Sequence, residues 1–172
     1  MFRKSVFIAA LVILTAAAGY YFYPEPALGS TITIDSLVVI KHERVMKVYN
    51  KGELLKSYRI AIGQNANGDK EFEGDKRTPE GNYRIDGRNP NSGYHKNLAI
   101  SYPSREDRAE AKRKGYSPGG DVKIHGLMNG LGFIGKFHRF FNWTAGCIAV
   151  TDDEVDELYR AVSPNAAIVI RP

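Results

Sequence analysis

Residues 6–23 form an unbroken apolar run, and nothing else in the chain restricts its possible folds as much. Eighteen apolar or small residues behind Arg3 and Lys4 stand at the lower limit for crossing a bilayer as a helix. The two leading positive charges predict a cytoplasmic N-terminus, with everything after the run on the far side of the membrane. Ala16-Ala17-Ala18 resembles a signal-cleavage site, whereas the cluster Tyr20-Tyr21-Phe22-Tyr23 suits a membrane-interface belt. A retained anchor is the favoured reading over a cleaved signal. No cysteine follows the run, which excludes a lipid-modified one. Residues 1–26 are therefore read as an anchor or signal peptide. Residues 27–172 are read as one domain in the periplasm or on the outer face of the cytoplasmic membrane, about 150 residues being an ordinary domain size.

The remainder reads as β structure. Seventeen glycines, ten tyrosines and eight phenylalanines favour strands joined by tight turns. Residues 32–40, 45–49 and 54–62 alternate or run apolar, and Asn50-Lys51-Gly52 between the last two is a hairpin signal. Residues 63–81 are polar and loop-like, and 82–86, 98–102, 122–124 and 166–170 read as further strands. Residues 105–114, rich in Ala, Glu, Lys and Arg, predict a helix stopped by Gly115. A second helix is announced by Thr151-x-x-Glu154, a capping box, followed by Val155, Leu158, Tyr159 and Val162 on one face and Pro164 as its stop. The class is mainly β with two or three short helices. The net charge of +5 comes without a Lys/Arg-rich run, so no nucleic-acid partner is expected.

Cys147 is the only cysteine. In an exported domain it has no disulfide partner, which leaves a buried core thiol or a thiol that is used. His125, ending a short apolar strand before Gly126, is a candidate base for it. Such a pair acts either by proton transfer during attack or as a standing ion pair, and the latter would depress the thiol pKa. Gly146 and Cys147 offer backbone N–H groups for a developing oxyanion. Around these, Thr144 is a candidate for orienting the loop, Trp143 and Tyr116 for lining a groove, and His138 for bordering it. His125, His138 and Cys147 lack paired-ligand spacing, so no metal or organic cofactor is expected.

Several motifs together resemble the L,D-transpeptidase (YkuD-domain) family of bacterial cell-wall enzymes over nearly all of residues 31–172. They are Lys41-x-x-Arg44, the segment from Gly74 to Tyr83, Ser101-Tyr102-Pro103, Ile124-His125-Gly126 and Gly146-Cys147-Ile148-Ala149-Val150. The resemblance implies a β-sandwich-like catalytic domain in which Cys147 attacks a peptidoglycan stem peptide and forms a thioester. The acyl group then passes to an acceptor peptide or a wall-attached protein. It also implies a backbone carbonyl, here that of Gly126, holding the histidine tautomer. Ala145 stands where the family has a second histidine, Ala149 where it has an asparagine, and 18 residues separate His125 from Thr144, slightly more than the family spacer. Loss of that histidine could steer the thioester towards water. A cysteine hydrolase of stem peptides and a non-catalytic wall-binding module are the alternative readings.

Overall fold

A computed structural model describes residues 2–172. Among these, three helices and eight strands follow the order α1 (Phe2–Phe22), β1 (Ile34–Ile40), β2 (Val45–Asn50), β3 (Glu53–Arg59), β4 (Gly81–Ser92), β5 (His95–Ile100), α2 (Arg105–Arg113), β6 (Lys123–His125), β7 (Ile148–Ala149), α3 (Asp152–Ala161) and β8 (Val162–Arg171). A 3-10 segment, Gly132–Phe140, kinked at Gly135, lies between β6 and β7. The strands join edge to edge as β3-β2-β1-β8-β4-β5-β6-β7. The mainly β class expected from the sequence holds, in the form of one curled sheet. Its two edges meet: Ala61, just beyond β3, exchanges N–H···O bonds of 2.9 and 2.8 Å with Ala149 of β7. That closure pairs backbone groups which an open sheet would leave bare.

Local chemistry explains the elements. The β2–β3 hairpin closes through Lys51 and Gly52, both at positive φ (51° and 81°), as a two-residue turn matching the strand twist requires. β1 and β8 pair in parallel at the centre and alternate buried and half-buried residues. Leu37, Val39, Ile168 and Ile170 from this pair join Met46, Val48, Tyr58 and Ile60 in one core. Thr151 and Glu154 form the reciprocal cap expected at the start of α3, whose Val155 and Leu158 are fully buried. α2 opens on a similar box that sequence reading passed over, Ser104 with Asp107.

Three boundaries differ from expectation. α3 ends at Ala161 rather than at Pro164, because β8 already starts at Val162 and Pro164 lies exposed in its irregular first part. Residues 87–97, unassigned in the sequence, extend β4 to Ser92 and turn through Gly93-Tyr94 into β5. The 3-10 segment was not expected, although Phe133, Phe137, Phe140 and Phe141 fall at i, i+4, i+7 and i+8.

α1 is 21 residues long, or about 31 Å at 1.5 Å per residue, and its apolar window has a mean hydropathy of 2.0 with none of it buried in the protein. By length and composition it is able to cross a membrane.

Candidate active site

The parallel pairing of β6 with β7 sets Ile124 beside Ile148 and His125 beside Ala149, which brings the end of β6 next to the loop carrying Cys147. Both side chains line one cleft of about 500 Å³, together with Trp143, Thr144, Ala145 and Gly146. The placement of His125 is built from behind. The Thr151 cap starts α3, Asp152 at its first turn accepts from the Leu127 N–H at 2.7 Å, and Gly126 fits only because a Cβ would stand 2.6 Å from that carboxylate. His125 is 5% exposed, and its Nδ1 lies 2.7 Å from the Gly126 carbonyl. A carbonyl only accepts, so in the neutral ring Nδ1 bears the proton and Nε2 keeps the lone pair.

The cysteine loop is shaped by the segment before it. Gly146 adopts φ +133°, and a Cβ there would meet the Arg77 carbonyl oxygen at 2.7 Å. The 69–80 loop that supplies this carbonyl is itself fixed by Asp75, whose carboxylate accepts from Lys70 Nζ and from the backbone of Glu71, Phe72 and Arg77. Thr144 Oγ1 donates to the Cys147 carbonyl at 2.7 Å and accepts from the Gly146 N–H at 3.2 Å. Of the two oxyanion donors expected from sequence, Gly146 is thus engaged inside the loop.

The protonation states depart from the ion-pair expectation. Burial pushes the Cys147 thiol up, against a weaker downward pull from the Lys123 backbone N–H. The thiol also lies 3.7 Å from the Asp121 carbonyl. Burial pushes the His125 imidazole down, opposed by its bond to Gly126. Both shifts favour neutral partners, since desolvation penalises the charged form of each. Both directions run against the depressed thiol pKa that a standing ion pair would give.

Other expected residues are distributed unevenly. Trp143 stands 5.6 Å from His125, edge to face, and Tyr94 packs 4.7 Å from the same ring, so that two aromatics flank the imidazole. His138 does not line the cleft. It is buried behind Trp143, whose Nε1 donates to His138 Nδ1 at 3.4 Å, and burial with the Arg139 charge lowers its pKa to about 4. Tyr116 also lies outside the cleft, exposed and packed 5.0 Å from Phe72. Lys70, Tyr94, Asn97, Asp121 and Lys123 line the cleft and were missed by sequence reading. Asn97 reaches it because it is the β5 register partner of His125, which is information held only in the pairing. Among the described residues no group of three or more His, Cys, Asp or Glu side chains is arranged to hold a metal ion.

Comparison with known proteins gives a consistent answer. The sequence profile of the L,D-transpeptidase catalytic domain (YkuD) matches residues 33–170. The chain is 31% identical over 148 residues to YafK of Escherichia coli (strain K12), whose name carries a provisional L,D-transpeptidase assignment; the match covers 82% of this chain and 51% of YafK. It therefore spans about half the length of that relative. Among solved structures, the helical cell shape determining protein Pgp2 from Campylobacter jejuni is similar with a TM-score of 0.62 at 24% identity, covering 82% of this chain and 48% of Pgp2. Bd1075 of Bdellovibrio bacteriovorus gives a TM-score of 0.56 at 20% identity, covering 84% and 50% of the two chains. An L,D-transpeptidase from Mycobacterium smegmatis gives 0.53 at 16%, covering 79% and 58%. At these identities the structural likeness speaks for the fold.

Proposed function

The chain belongs to the L,D-transpeptidase catalytic domain family, and from that premise we propose that it transfers acyl groups of peptidoglycan stem peptides through a thioester on Cys147. The observation that carries this reading is the shared cleft of Cys147 and His125, with the imidazole tautomer set by the Gly126 carbonyl. With thiol and imidazole both neutral at rest, the proton moves as the bond forms. Cys147 Sγ attacks the amide carbonyl next to the terminal D-alanine while His125 Nε2 takes the thiol proton. The carbonyl oxygen becomes an oxyanion facing backbone donors, of which the Cys147 N–H is the main candidate.

Collapse of this adduct breaks the C–N bond, and the imidazolium gives its proton to the departing amine. The thioester then meets an acceptor amine, from a second stem peptide or a wall-attached protein. His125 removes the amine proton, the new C–N bond forms, and the sulfur leaves and is reprotonated. Ala145, exposed beside the nucleophile in the cleft, leaves room on the side where the family's second histidine stands. The membrane-capable α1 fits a domain that works outside the cytoplasmic membrane on the wall.

The test uses the full chain in detergent with tetrapeptide muropeptides, read by mass spectrometry. Loss of D-alanine with a covalent dimer of stem peptides is the expected product. Tripeptide without a dimer, at any acceptor concentration, would replace transfer by hydrolysis, and no product at all would remove the catalytic reading.

A further inference from the structure

The base of α1 is not joined to the domain by a loose tether. Tyr20 packs against Phe137 (6.0 Å) and Phe140 (5.6 Å), and Tyr21 packs against Phe137 (5.4 Å) and donates from its hydroxyl to the Phe133 carbonyl at 2.7 Å. The 3-10 segment is shaped for this contact. Gly135 takes φ +49°, and a Cβ there would stand 3.0 Å from the Tyr21 ring. Below the rings, Arg139 is buried between Glu25 of the linker, at 2.7 and 3.2 Å, and Glu154 of α3, at 2.7 Å. Lys136 caps the helix end through the Tyr23 carbonyl.

This docking fixes a level. Tyr20 and Tyr21 belong to the last turn of a helix whose apolar window runs Arg3–Phe22, so in a membrane that turn sits at the outer interface. Side chains touching it are held at the same depth. On that segment Phe133 is 71% exposed, and Phe140 and its neighbour Phe141 are also exposed, beside Phe22 and Tyr23 at the helix end. Exposed aromatic rings clustered at the level of the helix end are the composition of a surface that enters the headgroup region, with Lys136 held inward by Glu25 and the Tyr23 carbonyl. The lone Trp143 of the cleft follows Phe141 by two residues.

We propose that residues 133–141 form a foot that inserts into the outer-leaflet interface beside α1, so that the cleft is held at a fixed height above the membrane. The occupant is lipid. The inference rests on α1 being a retained membrane anchor and not on the proposed acyl-transfer chemistry.

The test places single cysteines in a Cys147→Ser background of the full chain, at Phe133, Phe141, Ile13 and, as a solvent control, Leu54 of β3. Each is spin-labelled in vesicles of phosphatidylethanolamine and phosphatidylglycerol. The expected result is that labels at 133 and 141 collide several-fold more with oxygen than with a water-soluble paramagnetic reagent, relative to the label at 54. Labels at 133 and 141 matching the one at 54, while the label at 13 lies in lipid, would overturn the foot and leave the anchor intact. A water-facing label at 13 would overturn both. Spin–spin broadening at 133 or 141 that disappears on dilution into excess lipid would assign the surface to a second copy and also overturn the proposal. Since Cys147 is absent from every variant, none of these outcomes depends on acyl transfer.

Discussion

Two buried polar clusters in this domain handle desolvation in opposite ways. In the cleft, His125 is buried and Cys147 half-buried, with only weak or neutral partners, and desolvation pushes the imidazole down and the thiol up. At the helix base, Arg139 meets two carboxylates. Burial opposes its charge, but the bonds to Glu25 and the attraction of Glu154 outweigh it, and its pKa rises. Hydrogen bonding from Arg139 holds Glu25 down at about 2. Arg139 and Glu25, being paired, keep their charges and fix structure, although burial pushes Glu154 up; in the cleft, where ionic partners are lacking, the groups favour their neutral forms. The first kind of site holds the base of α1, and the second suits the proposed acyl transfer.

Breaking the reactive side should give the largest effect. Cys147→Ala removes the only nucleophile, so D-alanine release from tetrapeptide muropeptides should fall by on the order of 10³-fold or more, to background. His125→Ala should cost on the order of 10²- to 10⁴-fold, the usual contribution of a positioned acid–base group. Circular dichroism of both variants should match the parent. Undiminished release by Cys147→Ala would end the covalent mechanism.

Breaking the paired side should act on stability and leave chemistry alone. Arg139→Met strands Glu154 in a buried site, and losing one partner of such a pair costs about 3–5 kcal/mol. The expected readout is a lowered thermal midpoint for the full chain in detergent, with turnover per folded molecule unchanged. Acid should loosen the same joint reversibly. The Glu25 pKa is lowered on folding from 4.5 to about 2, so its contribution is present above pH 4.5 and is lost as pH falls towards 2. Limited proteolysis at residues 23–27 should quicken across that window, and Glu25→Gln should abolish the pH dependence.

How far the sequence disclosed these two clusters follows from what each depends on. The cleft pair was legible by residue type: a single cysteine and a histidine before glycine are informative without coordinates. α3 was legible because its cap and apolar face are local patterns in Thr151, Glu154, Val155 and Leu158. The helix-base cluster was not. Glu25, Arg139 and Glu154 lie more than 100 residues apart at the extremes, and Phe133, Phe137 and Phe140, though spaced i, i+4 and i+7, sit in a segment interrupted by Gly132 and Gly135 that does not read as a helix. Asn97 and Tyr94 escaped for a related reason, since residues 87–97, which build the turn of the β4–β5 hairpin that delivers them, are polar and carry no strand alternation. His138 was drawn into the candidate site by proximity in sequence and Tyr116 as an aromatic, and burial behind Trp143 and packing on Phe72 set them apart from the cleft.

A smaller effect sharpens the contrast within the cleft. A thiol raised by burial stays protonated to higher pH than a free one, so the rate of alkylation of Cys147 by iodoacetamide should rise with a midpoint above the about 8.5 of an unperturbed thiol. His125→Ala should move that midpoint little, because the imidazole takes the proton during attack and not before it. A midpoint well below neutrality that climbs in the variant would restore the standing ion pair.

The smallest expected signal separates the two buried histidines. His125 has its Nδ1 turned to a carbonyl, whereas His138 Nδ1 accepts from Trp143, so in the neutral His138 ring the proton is on Nε2. That Nε2 is buried without a partner. Protonating His138 puts a second donor against the indole N–H and breaks the bond. Its pKa is lowered to about 4 from 6.5, so the neutral form that folding favours is fully populated above pH 6.5 and lost as pH falls through about 4. Trp143 is the only tryptophan and touches His138 and the His125 ring, so comparison with a His138 variant isolates the His138 contribution to its emission. A fluorescence change with a midpoint near 4, absent in His138→Gln, is the expected outcome. A midpoint near 6.5 would show that water reaches His138, and the division between sealed support and reactive cleft would then have to be drawn elsewhere.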